Sequence, residues 1–372
     1  MARKRGKKNA GRDALILLAL VAAILPLSIA ASAHMEVEDA ETLTSLQALR
    51  AAPSDSVSLS FGGDVIMGRY VPAAAERTGE SLLGSAGPIF AASDLSVANL
   101  ETPILLVADP ADRPEKNIYF DARPGMLDYI ADLDVLLLSN NHTADYGRGG
   151  VAETIQNVSD YGFTQVGAGA TATDAYRPVY IEEGGLRFAY LGFTDVLGPE
   201  SVATDDEYGV ATSNLDRLLP AVRQADKQAD FVIVAAHWGV EYRTDPTKRQ
   251  EVLAEALAAA GADLVVGSHP HVLQRAEMIG STLVFYSLGN LVSDQGWSDT
   301  RETVVPTLII DPATLHAQLY IEPFRIKEGR PTAFDSAIGY RSRAAFAKIT
   351  RRSNIDFHQD GTALVADVFF AD

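Results

Sequence analysis

Short apolar runs alternate with Ala- and Leu-rich stretches of helical period from Val57 onward. The runs predict buried strands, and three of the stretches between them predict helices. The predicted strands are Val57–Phe61, Asp94–Asn99, Val135–Ser139, Phe163–Val166, Arg187–Gly192, Phe231–Ala236, Leu264–Gly267 and Thr282–Tyr286, and the helices are Gly149–Tyr161, Asn214–Lys227 and Thr247–Ala260. Strands this apolar, separated by helices, belong to an α/β fold in which both sheet faces are covered.

After Thr300 the pattern changes to the alternation of apolar and polar residues that is typical of strands. It predicts strands at Val304–Ile310, Ala317–Pro323 and Ala363–Phe370, and a helix at Ser342–Arg351 with Ser342 as its N-cap. We expect these strands to join the same core, so that residues 57–372 form one domain.

The first 33 residues have the composition of a targeting segment. A nearly unbroken apolar run from Ala14 to Ala33 follows six basic side chains and ends in a small-x-small triplet. This layout predicts a bacterial export signal, and the length of the run also fits an uncleaved membrane anchor. In both cases the body of the protein is extracytoplasmic. Residues 34–56 are interpreted as a spacer, in which Leu43, Leu46 and Leu49 indicate a short helix.

Charge is unevenly distributed along the 372 residues. The formal net charge is −18, residues 1–33 carry +5, and the remaining residues therefore carry −23. So acidic a body is unsuited to nucleic acid, because binding through phosphates needs a basic surface. The chain has no cysteine, which excludes disulfides, thiolate metal sites and cysteine nucleophiles.

Residues of the types that ligate metals follow five of the predicted strands. The carboxyl ends of strands are where open α/β sheets build their sites, so we expect these side chains to converge. The candidate ligands are Asp64, Glu101, Asn141, His237, His269 and His271. Oxygen and nitrogen donors without sulfur suit Mn, Fe, Zn or Mg. They are too many for one tetrahedral ion, so two divalent ions bridged by a carboxylate are predicted.

His142 directly follows the candidate ligand Asn141. Its imidazole is predicted to act as a general acid toward a leaving group, and the alternative is that it orients Asn141 by a hydrogen bond. Arg69, Arg148 and Arg243 are candidate binders of an anionic substrate, because a guanidinium pairs with carboxylate or phosphate as a planar fork. The alternative for all three is an ordinary surface arginine.

The order of these motifs resembles that of the calcineurin-like metallophosphoesterases, and more closely the CapA family, named for synthesis of the poly-γ-glutamate capsule. The resemblance rests on blocks between about Ser58 and Val292, which read LSFGGDVIMGR, NLETPI, LSNNHTADYGRGGVAETI, VGAG, AAHWGVEY, GADLVVGSHPHVLQ and FYSLGNLV. It implies a two-sheet αββα sandwich. It also implies that Asp64, Glu101 and His271 hold one ion, and that Glu101 bridges to a second ion held by Asn141, His237 and His269.

Three functions follow as hypotheses. The first is an extracytoplasmic CapA-like metal-dependent hydrolase or transferase that acts in making an anionic cell-surface polymer. The second is a phosphoesterase or phosphodiesterase acting on a small or lipid-linked phosphate, because such a metal site does not reveal what it attacks. The third is a non-catalytic accessory subunit of a membrane-bound polymer synthase or exporter.

Overall fold

Two β-sheets stack face to face in the computed structural model, which describes residues 42–198, 201–334 and 339–370. The strands of these ranges are β1 Val57–Val65, β2 Leu95–Leu100, β3 Val135–Leu137, β4 Thr164–Val166, β5 Ala168–Gly169, β6 Val179–Glu183, β7 Leu186–Thr194, β8 Gly209–Val210, β9 Phe231–His237, β10 Leu264–Ser268, β11 Ala276–Ile279, β12 Thr282–Phe285, β13 Asn290–Val292, β14 Glu302–Ile310, β15 His316–Lys327, β16 Arg330–Ala333, β17 His358–Asp360 and β18 Ala363–Phe369. The α-helices are Thr44–Ala51, Val71–Thr78, Gly87–Ala92, Gly147–Asp160, Ala172–Ala175, Leu215–Asp226, Lys248–Ala258 and Tyr340–Thr350.

The larger sheet has the order β17-β18-β15-β14-β1-β2-β3-β4, with β13 paired to β1 and β16 to β15. Strands β1 to β4 are parallel, and β14, β15, β17 and β18 extend the sheet in antiparallel fashion. The prediction that the C-terminal strands join the same core is therefore confirmed. The smaller sheet has the order β11-β12-β10-β9-β7-β6, with parallel pairing from β12 to β7.

Apolar side chains of both sheets form one buried core between them, to which Phe61, Phe188 and Phe231 belong. The outer face of the larger sheet is covered by helices that include Gly147–Asp160, and the outer face of the smaller sheet by Leu215–Asp226 and Lys248–Ala258. The layers are thus helix, sheet, sheet and helix, as predicted. Burial on both faces explains why β9 and β10 are apolar except at their last residues, His237 and Ser268.

The C-terminal helix begins earlier than predicted. It covers Tyr340–Thr350 with Gly339 as its N-cap, so the prediction of Ser342 as the cap is wrong. Ser342 is buried in the first turn, where its hydroxyl donates to the Gly339 carbonyl at 2.9 Å.

The predicted short helix near residue 46 is present as Thr44–Ala51. Leu43, Leu46 and Leu49 are buried in the core under the larger sheet. The described part of the 34–56 segment, from residue 42 onward, is therefore packed against the body instead of forming a spacer. The predicted signal or anchor at residues 1–33 lies outside the described residues. Among the helices that the structure describes, none has the length and apolar character needed to cross a membrane.

Candidate metal centre

The two sheets bring their carboxyl ends together at one place. Asp64 lies near the end of β1, Glu101 directly follows β2, and His237 ends β9. Asn141 and His142 follow β3, and His269 and His271 follow β10. Contacts described below join all five segments, as expected for the carboxyl edge of parallel strands.

Glu101 lies at the centre of the group. Its side chain is fully buried, and neither carboxylate oxygen accepts a hydrogen bond from any described residue. Oε1 is 3.7 Å from Nε2 of His237 and 3.9 Å from Nε2 of His142, and Oε2 is 3.9 Å from Nδ1 of His271. Burial, reinforced by the charge of Asp64, raises the pKa of Glu101. A buried carboxylate without donors is costly, and a cation between it and the imidazoles would remove that cost.

Asp64 is buried beside Glu101 and is held by three donors. Oδ1 accepts from the amide of Asn99 at 2.7 Å, and Oδ2 lies 3.2 Å from the backbone nitrogen of His269 and 3.1 Å from Nδ1 of His271. Burial alone would lower the pKa of His271, but the charges of Glu101 and Asp64 raise it to about 9. Divalent cations would take over this compensation of charge and leave the imidazole neutral.

The His269-Pro270-His271 segment turns sharply. The φ angles of His269 and His271 are 92° and 57°, in the left-handed region that side chains with a Cβ rarely adopt. The turn directs both imidazoles into the site. Nδ1 of His269 is buried without a hydrogen-bond partner among the described residues. Burial, with the nearby His271, lowers the pKa of His269 to about 4, so the ring is neutral and free to ligate.

His237 and Asn141 face each other across the two sheets. Nε2 of His237 lies 2.7 Å from Oδ1 of Asn141, and Nδ1 lies 3.1 Å from the Ser268 hydroxyl and 3.2 Å from the Asn99 amide. Burial and the neighbouring imidazoles lower the pKa of His237. Sequence reasoning did not single out Asn99 or Ser268 as supports, although both lie on strands that carry ligands.

Two sets of three ligand atoms are close enough to hold an ion. One set is Glu101, His269 and His271, the other is Asp64, Glu101 and His237, and within each set the atoms lie within 4.8 Å of one another. Both sets contain Glu101, the residue expected to bridge. The assignment implied by the resemblance divides these residues differently, since it places Asp64 with His271 and His237 with His269. The donor set fits divalent cations bound by nitrogen and oxygen.

His142 is oriented by a carboxylate that sequence reasoning did not assign. Its Nδ1 lies 2.8 Å from Oδ2 of Asp145, which also accepts from the backbone of Phe120 at 2.7 Å. Lys116 forms an ion pair with Asp145 and donates to the carbonyl of Asn141 at 3.0 Å. The signal in the sequence was the spacing of His142 and Asp145, three residues apart in one loop. These contacts direct Nε2 of His142 toward Glu101.

The three candidate arginines have different surroundings. The guanidinium of Arg69 lies 4.9 Å from the ring of Phe120, which contacts His142, and it pairs with Asp294. Arg148 donates to the carbonyl of Val202 at 3.1 Å and pairs with Glu207 at 3.0 Å, so part of its guanidinium is engaged within the protein, and substrate binding by it stays a prediction. Arg243 is exposed and has no acidic partner in the described parts of the chain.

Two exposed aromatic rings lie beside the site. The ring centroid of Tyr242 is 6.2 Å from that of His271 and 4.7 Å from that of Trp297. The exposed fractions of Tyr242 and Trp297 are 41% and 65%. Large exposed rings next to the buried candidate ligands form a wall on which a bound molecule can pack.

Residues 58–295 match the family described as bacterial capsule synthesis protein PGA_cap. The chain belongs to this family. It is similar to the PGA biosynthesis protein CapA of Bacillus subtilis, with 34% identity over 86% of this chain and 84% of that protein. The capsule biosynthesis protein CapA of Bacillus anthracis is 36% identical over 90% of this chain and 81% of its own length.

A more distant relative of this CapA-family chain comes from Mycobacterium tuberculosis. It is named a "probable polyglutamine synthesis accessory protein", and it is 28% identical over 71% of this chain and 74% of its own length. The matched range of the family, 58–295, includes all six predicted ligands and His142. The buried group around Glu101 therefore lies within the part of the chain that the family shares.

Proposed function

We propose that this protein is an extracytoplasmic enzyme of capsule biosynthesis that acts on an anionic polymer of the polyglutamate type. The family and the names of the relatives from the two Bacillus species support a role in polyglutamate capsule synthesis. The basic and apolar segment at residues 1–33 supports export or membrane attachment.

The observation that carries the enzymatic part is the carboxylate of Glu101. It is buried, has no hydrogen-bond donor among the described residues, and faces the imidazoles of His142, His237 and His271. A buried carboxylate without a partner destabilises the fold, and a bound cation would offset that cost. Two divalent ions bridged by Glu101 would be held by Asp64, His237, His269, His271 and Asn141. They would polarise a phosphoryl or acyl oxygen of the substrate.

Side chains of the protein would transfer the proton, position the substrate and exclude water. His142, fixed by Asp145 at Nδ1, holds or donates a proton at Nε2, which faces the buried carboxylate. Asp145 fixes the tautomer of His142 and would stabilise its protonated form. Arg69 and Arg243 supply positive charge at the rim, and Tyr242 and Trp297 exclude water from one side.

The test uses the full-length protein in detergent. Metal content is measured after incubation with Mn²⁺ or Zn²⁺, and hydrolysis of bis-p-nitrophenyl phosphate and of a γ-glutamate oligomer is followed. We expect Glu101→Gln and His237→Ala to lose bound metal and activity. Glu322→Gln is the matched control. Glu322 is also a buried carboxylate, but it accepts a hydrogen bond from Ser45 and not from a candidate ligand.

The outcomes separate the alternative functions. Hydrolysis of the phosphodiester with the oligomer left intact would favour a phosphodiesterase. Metal binding without any hydrolysis, with capsule still formed in cells that carry His237→Ala, would support an accessory subunit of a synthase. The name of the mycobacterial relative, an accessory protein, favours the accessory-subunit function. Absence of bound metal in the wild-type protein would refute the proposed centre.

A further inference from the structure

A second group of charged side chains lies where β14 begins and β15 approaches its end. Glu302, the first residue of β14, pairs across the sheet with Arg325 of β15. Arg301 directly precedes Glu302, so the pairing brings Arg301 close to Arg325. We call Arg301, Arg325 and Arg341 the arginine cluster.

Arg341 reaches the same place from the helix Tyr340–Thr350. Lys348 of this helix donates to Asp299 at 3.0 Å and to Glu302 at 2.6 Å, which fixes the face that the helix turns toward β14. Arg341 is seven residues earlier, two turns along the same face. Burial lowers the pKa of Arg325, the positive charge of Arg341 lowers it further, and Glu302 offsets part of this effect.

The arginine cluster has no counterion within the described ranges. None of its three guanidinium groups forms an ion pair there, and the two nearby carboxylates, of Asp299 and Glu302, are bonded to Lys348. Nη1 of Arg325 is buried and has no hydrogen-bond partner among the residues that the structure describes. The helix that carries Arg341 has no acidic residue in its first turn, so its positive end adds to the cluster.

Three neighbouring arginines without a carboxylate partner in the described ranges are unexpected in a protein with so many more acidic than basic residues. Outside residues 1–33 the chain carries −23, so carboxylates outnumber basic side chains in the body of the protein. A buried guanidinium nitrogen without an acceptor costs free energy unless a ligand supplies the acceptor. Arg341 is exposed and Arg301 half-buried, so an anion from solvent can approach both.

The arginine cluster is next to the candidate metal centre. The carbonyl of Thr300, the residue before Arg301, accepts a hydrogen bond from Nδ2 of Asn290 at 3.0 Å. Oδ1 of the same asparagine lies 3.0 Å from Nδ1 of His271. One side chain therefore links the backbone of the cluster to a candidate ligand.

We propose that the arginine cluster is a subsite that binds carboxylates of a polyglutamate chain whose neighbouring segment enters the metal centre. The proposal rests on the proposed function for its substrate. A guanidinium pairs with a carboxylate through two parallel hydrogen bonds. Three such groups, one directly before β14, one on β15 and one on a helix, suit an extended chain with one carboxylate per residue better than a single compact ion.

The test measures binding to the full-length protein in detergent, independently of turnover. A fluorescein-labelled γ-glutamate oligomer is titrated, and anisotropy is recorded in EDTA and again with Mn²⁺. The variants are Arg341→Gln and the triple Arg301→Gln, Arg325→Gln, Arg341→Gln. Arg223→Gln is the matched control, since Arg223 is exposed on the outer helix Leu215–Asp226. Circular dichroism verifies that each variant is folded.

We expect the triple variant to bind the oligomer on the order of tenfold or more weakly, in EDTA as well as in Mn²⁺, because charge-assisted hydrogen bonds are lost. Arg341→Gln alone weakens binding by a smaller factor, and it tests the subsite if the triple variant does not fold. Wild-type affinity in a folded Arg341→Gln or triple variant would overturn the proposal. Tighter, arginine-dependent binding of tripolyphosphate would overturn the assignment to carboxylates. The titration in EDTA needs no bound metal, so it tests the subsite even if the proposed metal centre proves wrong.

Discussion

Oδ2 of Asp145 lies 2.8 Å from Nδ1 of His142, while Nε2 of the same ring faces Glu101. Removing the charge of Asp145 should therefore impair proton transfer without removing a metal ligand. We expect Asp145→Asn to lower the turnover of the metal-loaded protein by about 10²-fold, the lower end of what general acid–base catalysis contributes. The measurement is phosphodiester hydrolysis together with metal content.

Asp121→Asn serves as the control for that variant. Asp121 accepts a hydrogen bond from the Tyr146 hydroxyl at 2.7 Å in the same part of the fold, but it does not contact His142 in the structure. Equal losses of activity in both variants would contradict a positioning role for Asp145.

Asn99 hydrogen-bonds to Asp64 of the candidate metal centre, and its replacement should destabilise the metal-free protein. Its amide donates to Asp64 at 2.7 Å, and its carbonyl accepts from Asn140 at 3.1 Å. Asn99→Asp puts a third buried carboxylate beside Asp64 and Glu101, so we expect a loss of roughly 3–5 kcal/mol in the free energy of unfolding. Urea titration in EDTA measures it.

Divalent cations should restore part of that stability, because they offset the added negative charge. The comparison variant is Asn157→Asp, which also removes an amide donor, here to the carbonyl of Ile104 at 2.8 Å, and not to a candidate ligand. If Mn²⁺ does not reduce the loss of unfolding free energy in Asn99→Asp, that result would argue against cations in the candidate metal centre.

Glu322 gives the fold a pH dependence of its own. Burial raises its pKa above the ordinary 4.5, and hydrogen bonds, including those from Ser45, oppose the shift. Because the folded-state pKa is raised, the stability contributed by the protonated form is present below about pH 4.5 and is lost as the pH rises through the folded-state pKa. Glu322→Gln should therefore be more stable than the wild type at pH 8, by roughly 1 kcal/mol, and should lose this advantage near pH 4.

Thermal unfolding of the two proteins at both pH values checks this. Glu328→Gln is the control, since Glu328 is an exposed glutamate that pairs with Arg77. An advantage of Glu322→Gln that is the same at pH 4 and pH 8 would show that its carboxylate is not the titrating group.

Trp297 should report occupation of the site by its fluorescence. It is one of two tryptophans in the chain, and its ring lies 4.7 Å from Tyr242, which neighbours His271. The other, Trp238, is fully buried. We expect Mn²⁺ to quench the emission and Trp297→Phe to lose most of that response while binding the same amount of metal. Equal quenching in both proteins would assign the signal to Trp238.

The sequence was sufficient to predict the strands that carry the candidate ligands. Strands β9 and β10 are apolar up to their last residues because both faces are covered, and His237 and His269 interrupt that pattern at the strand ends. Asp64 and Glu101 could be found in the same way. The expected convergence of these residues needed only the rule that parallel strands end at one edge.

The supporting contacts could not be predicted because they depend on tertiary structure. Lys116 meets Asp145 across 29 residues, and Asn290 meets His271 only because β13 pairs with β1 beside Asp64. The N-cap prediction failed because the backbone turns at Gly339, while Ser342 bonds back to that residue from inside the helix. Local propensity ranks serine above glycine as an N-cap and therefore favours the wrong position.

The helix Thr44–Ala51 determines where the chain can be shortened. Its Ser45 donates to Glu322, and Thr44 donates from its backbone to the Thr362 hydroxyl at 2.8 Å, across 318 residues of sequence. A protein beginning at Val57, the boundary that the hydrophobic pattern suggests, would remove the hydrogen-bond partners of Glu322 on β15 and of Thr362 between β17 and β18. It would also uncover the surface on which Leu46 packs. A secreted version made for crystallisation or enzymology should therefore retain every residue from Thr42 onward.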